Sequence, residues 1–97
     1  MPKFVIERTI PGAGRMTPDQ IREAAQKSNV VIRELGSEIQ WITSYLTDDK
    51  LYCVFVAPSE DVIVEHARCS DIPADRISTV VATIDPSTGE APGAGRR

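Results

Sequence analysis

Apolar and polar positions divide the chain into six segments separated by turn-forming residues. The first, Lys3 to Thr9, carries the run Phe4-Val5-Ile6 and stops at Pro11-Gly12-Ala13-Gly14, which predicts a strand followed by a loop. Thr17-Pro18-Asp19-Gln20 then offers an N-cap, a proline at the first helical position, an acid for the first turn and the Gln of a capping box. Behind it Ile21, Ala24, Ala25, Val31, Ile32 and Leu35 recur at three- and four-residue steps. Arg22, Glu23, Gln26, Lys27, Arg33 and Glu34 mostly take the other side, so a helix is expected as far as Gly36, a left-handed stop.

Ile39 to Ala57 reads as two strands around the hairpin turn Thr47-Asp48-Asp49-Lys50. With Asp48 and Asp49 as a two-residue loop, Leu46 faces Leu51, Ser44 faces Cys53 and Ile42 faces Phe55, all on one side. Strict alternation then puts Trp41, Thr43 and Tyr45 opposite Val56, Val54 and Tyr52 on the other. The first side suits a surface covered by helices. The second, with Trp41, Tyr45 and Tyr52, is expected to be reserved for another subunit or a ligand.

Pro58-Ser59-Glu60-Asp61 opens a second helix, with Ser59 as cap and two acids in the first turn. Its apolar stripe is Val62, Ile63, His66 and Ala67; Pro73 ends it, and Arg76 to Ile84 supplies a last strand. This β-α-β-β-α-β order predicts an α+β, ferredoxin-like sandwich: a four-stranded antiparallel sheet in order 4-1-3-2 with both helices on one face. Residues 1–85 are read as the domain, and residues 86–97, rich in Pro and Gly, as a flexible C-terminal tail. The fragment Pro-Gly-Ala-Gly-Arg at Pro11 to Arg15 returns at Pro92 to Arg96 and is read as compositional coincidence.

A length of 97 residues with 41% hydrophobic and 26% charged content is that of one small domain, which gains from covering its open sheet face against a partner. A homodimer is therefore expected. The net charge of -3 provides no basic field for nucleic acid. No apolar run is long enough to span a bilayer and Met1-Pro2-Lys3-Phe4 leads straight into a strand, so a soluble, cytoplasmic protein is expected.

His66, the one histidine, admits two readings: a partly buried imidazole held by a hydrogen bond, or a metal ligand or general base. Cys69 follows at a helical spacing that lets thiolate and imidazole share an ion, and Cys53, on the helix-covered side, can approach His66 across the core. The alternative for both cysteines is an inert reduced thiol. Glu7 stands in a central strand on the side of Val5, Tyr45 and Tyr52, where its charge must be paired or must act; Arg8 or a partner's residue is one candidate counter-charge. Asp48 and Asp49 are turn residues first and surface ion ligands second. No nucleophile triad, phosphate-binding glycine loop, zinc-protease helix or catalytic carboxylate pair is found, so a cofactor enzyme is not supported.

Six blocks in order resemble a family of small actinobacterial proteins of unknown function, some of whose members are described as nickel-binding. They are Pro2-Lys3-Phe4-Val5-Ile6-Glu7-Arg8, Ile10-Pro11-Gly12-Ala13-Gly14, Gln40-Trp41-Ile42 with Ser44-Tyr45, Thr47-Asp48-Asp49-Lys50, Tyr52-Cys53-Val54, and Glu65-His66-Ala67-Arg68 followed by Pro73-Ala74 and Arg76. The resemblance implies a ferredoxin-like homodimer with a possible role in nickel binding or sequestration, and makes Glu7, Asp48, Tyr52, Cys53 and His66 the positions of interest. Cys69 departs from the family pattern and is either an added ligand or a local substitution. The metal set carried forward is His66, Cys69, Cys53, Glu7 and Asp48, with nickel as the ion. The alternative is a small-ligand-binding protein or cofactor-independent enzyme with a pocket beside Tyr45, Tyr52, Glu7 and His66.

Overall fold

The computed structural model describes residues 1–36 and 38–90. Strands β1 (Lys3–Thr9), β2 (Gln40–Leu46), β3 (Lys50–Val56) and β4 (Arg76–Thr79) alternate with helices α1 (Pro18–Leu35) and α2 (Glu60–Ser70) in the predicted order. The strands form one antiparallel sheet in order β2-β3-β1-β4, the ferredoxin-like arrangement. The capping box at α1 is formed in full: Gln20 N–H donates to Thr17 Oγ1 and Thr17 N–H to Gln20 Oε1. Gly36 closes α1 in the left-handed conformation, at φ 59°. Phe4, Ile6, Cys53 and Phe55 from the sheet, with Ile39, Ala57 and Ile63, make the core.

The hairpin register holds from Thr43 to Leu46, with Thr43 opposite Val54, Ser44 opposite Cys53 and Tyr45 opposite Tyr52. It then shifts between Thr43 and Trp41, so that Trp41, rather than Ile42, lies opposite Phe55. The extra residue, Ile42, is left exposed and Trp41 turns from the open face to the helix side. Strict alternation fails here because the indole gains more inside. Its ring stacks on Phe55 at a centroid distance of 6.4 Å, and its Nε1–H donates to Ser44 Oγ at 2.9 Å.

The last strand is shorter than expected. Val80 N–H still reaches Lys3 O, but β4 runs antiparallel toward the start of β1, and its partner ends there. Beyond that point no strand among the described residues pairs with the chain, and Val81 is 96% exposed. Pro86–Gly89 form a 3-10 turn capped by Asp85. Residues 91–97, which carry the whole second Pro-Gly-Ala-Gly-Arg fragment and much of the expected tail, lie outside the described residues.

The first copy of that fragment clamps the hairpin tip. Ile10 and Gly14 N–H donate to the carbonyls of Asp49 and Asp48, and Gly12 N–H to Asp49 Oδ1. A Cβ on Gly14 would stand 2.8 Å from Asp48 Cα, which is backbone and cannot swing away. Gly14→Ala is therefore expected to part loop and hairpin at a cost on the order of 2 kcal/mol, read as a lower midpoint of denaturant unfolding.

Candidate functional site

Helix α1 does not seat flush on the sheet. Between its inner face, strands β1 to β3 and α2 lies a cavity of about 400 Å³, walled mainly by apolar residues including Ile21, Ala25, Trp41, Leu51 and Phe55. The residues α1 presents to this space, Ala24, Ala25 and Ser28, are too small to fill it, and Ile21 stays half-exposed beside it. Polar groups enter this lining from four elements: Arg8 of β1, Ser28 of α1, Ser44 of β2 and His66 of α2.

His66 is only 1% exposed. Its Nε2 is hydrogen-bonded to Ser28 Oγ at 3.2 Å and Ser70 Oγ at 3.4 Å, its ring tilts against Phe55, and Nδ1 has no partner among the described residues. Burial first, and the positive charge of Arg8 second, lower its pKa from 6.5 to about 4. The imidazole is therefore neutral at physiological pH.

Arg8 is equally enclosed, at 1% exposure. Phe4 and Ile6 face the helices, and a period of two carries Arg8 to the same side. That signal was present in the sequence; pairing Arg8 with Glu7 ran against it. Glu7 faces the open side, where Lys50 Nζ lies 3.3 Å from its carboxylate. The guanidinium has one long hydrogen bond, Nη1 to Ile72 O at 3.5 Å, and Nε has no partner. No ion pair to Arg8 occurs among the described residues. A cation withdrawn from water without a counter-ion costs several kcal/mol.

The five sequence-derived metal candidates fall in different places. Cys53 and His66 both line the cavity, as the helix-covered face required. Cys69 is exposed on α2, its Sγ–H donating to Glu65 Oε1 at 3.4 Å, and desolvation first and the Glu65 carboxylate second push its thiol pKa up. Glu65 is also paired with Arg68. Glu7 lies on the open sheet face and Asp48 at the exposed hairpin tip. Among the described residues no three His, Cys, Asp or Glu side chains come together as a metal site. One chain thus brings only a thiol and an imidazole to a common space, beside the positive charge of Arg8, and does not by itself supply a nickel coordination set. Of the expected pocket residues, His66 lines the cavity, whereas Tyr45, Tyr52 and Glu7 do not. Ser28 and Arg8 are the polar lining that sequence reasoning missed.

Among the described residues no helix is long and apolar enough to cross a membrane. The crystal structure of SCO4226 from Streptomyces coelicolor A3(2) superposes with a TM-score of 0.71 at 20% identity, covering 84% of this chain and 99% of that one, and so shares the fold. The comparison with curated proteins finds no match. The profile of the family described as nickel responsive protein SCO4226-like matches residues 4–80, from the first core residue of β1 to just past β4. The resemblance carried by the six sequence blocks is thereby borne out, and the chain belongs to the SCO4226-like family.

Proposed function

We propose that this protein binds a small, largely apolar molecule in the cavity between its sheet and helices. One observation carries the reading: the cavity combines apolar walls with two buried side chains, Arg8 and His66, that each keep a nitrogen without a partner. Ligand sites have this composition, an apolar majority with a few converging polar groups. Trp41, the sole tryptophan, forms part of the wall and reports on it. Octanoate and 1-octanol titrated against Trp41 emission are expected to give saturable binding by at least one of them, abolished in Ala25→Phe, whose ring fills the space. Absence of binding by both, or binding untouched in Ala25→Phe, overturns the reading.

A second reading, nickel binding by a homodimer, is favoured by the family description. Because one chain lacks a donor set, the ion is shared between two copies, with nickel as the ion responded to rather than a resident cofactor. The open sheet face supports such pairing, since it exposes Tyr45 at 63% and carries Glu7. His66, Cys69, Cys53, Glu7 and Asp48 are the donors to test. Calorimetric titration of nickel into the reduced protein is expected to give one ion per two chains, weakened in Glu7→Gln, the donor that lies on the paired face. No heat from the wild type removes this reading and leaves the cavity reading untouched.

A further inference from the structure

The cavity's single charged lining residue, among the described residues, is an arginine with nothing to neutralise it. Arg8 is buried, its Nε unpartnered, and its one hydrogen bond to Ile72 O is at the limit of contact. Every aspartate and glutamate of the chain lies among the described residues, so no hidden side-chain carboxylate remains to pair with it. His66, the other buried titratable group in the lining, is neutral and brings an unpartnered Nδ1.

From this geometry we infer that the ligand is an amphipathic monocarboxylate, its carboxylate on the Arg8 guanidinium and its apolar body against Trp41, Leu51 and Ile21. The inference rests on the cavity being the ligand site. The guanidinium fork matches the two oxygens of a carboxylate, and the ion pair would form in a space of low dielectric. One arginine beside a neutral imidazole balances one negative charge, so a phosphate dianion would remain under-neutralised. The volume also fits: a molecule of about ten non-hydrogen atoms, at roughly the 30 Å³ that a water takes in the liquid, needs somewhat less than the space present.

The test compares octanoate with 1-octanol, n-octylamine and n-octyl phosphate, which keep the same chain and change the head group, by titration against Trp41 emission. Octanoate is expected to bind about tenfold or more tightly than the alcohol, with the amine weakest. In Arg8→Met the octanoate affinity should fall to that of the alcohol, while alcohol binding persists and shows that the cavity is intact. Equal affinity of wild type for octanoate and octanol overturns the anion inference and leaves the cavity reading standing. Tighter binding of octyl phosphate overturns the carboxylate assignment, and failure of all four probes overturns the cavity reading and this inference together. Should Arg8→Met not fold, the comparison of the four probes on the wild-type protein decides alone.

Discussion

Acidification from about pH 6.5 to about pH 4 is expected to remove about 2 to 3 kcal/mol of folding stability through His66 alone. Its pKa is about 4 in the folded protein against 6.5 for an ordinary imidazole. Between those values the unfolded chain binds a proton that the folded one excludes, so stability rises with pH across the window and is lost as pH falls. Each pKa unit is worth about 1.4 kcal/mol, which sets the scale. The cause is structural: α2 places the ring against Phe55, where an imidazolium would be desolvated, and Arg8 adds repulsion. Urea unfolding of wild type and His66→Gln at several pH values measures the effect, and the difference between them cancels the carboxylates that titrate in both. Parallel curves across the window would show that His66 is not buried neutral.

Arg8→Met should stabilise the ligand-free protein, against the usual direction for a buried substitution. The methionine follows much of the same path, fills the space with polarizable apolar atoms and relieves the cost of an enclosed cation without a counter-ion. A gain of about 1 to 4 kcal/mol is expected, from the behaviour of buried charged groups replaced by apolar ones. The same change removes the second cause of the low His66 pKa, so the pH window of the preceding prediction narrows from its acid end. Thermal and denaturant unfolding check both. A large loss of stability would mean that Arg8 is structurally paired rather than held for a ligand. A charge kept at a stability cost is the usual mark of a site with a function.

How much of this was legible beforehand differs by region. Helix α1 could be placed from Thr17 to Gly36 because its capping box, proline and glycine stop are local chemistry, complete within a few residues of one another. The hairpin tip was equally readable, since two strands of the right pattern around Asp48-Asp49 leave one short register. The site was less readable. Cys53 and His66 were correctly placed on the helix-covered side, but their surroundings could not be derived, because Ser28 and Arg8 come from elements distant in sequence. Arg8 was signalled by the alternation that buries Phe4 and Ile6, yet the rule that arginines stay in water argued against using it. The bulge at Ile42 had no local signature at all.

The element order, the caps of α1 and the antiparallel topology were thus settled by the chain's own short-range chemistry, whereas Ser59, the expected cap of α2, makes no side-chain cap hydrogen bond. The cavity, the inward turn of Trp41, the premature end of β4 and the unpaired charge of Arg8 were decided only by packing. Each depends on whether distant surfaces fit: small residues on α1 leave space that larger ones would close, and the stacking of Trp41 on Phe55 favours a bulge over a regular ladder. Such outcomes turn on volumes and contacts between elements, quantities that no periodicity along one segment contains.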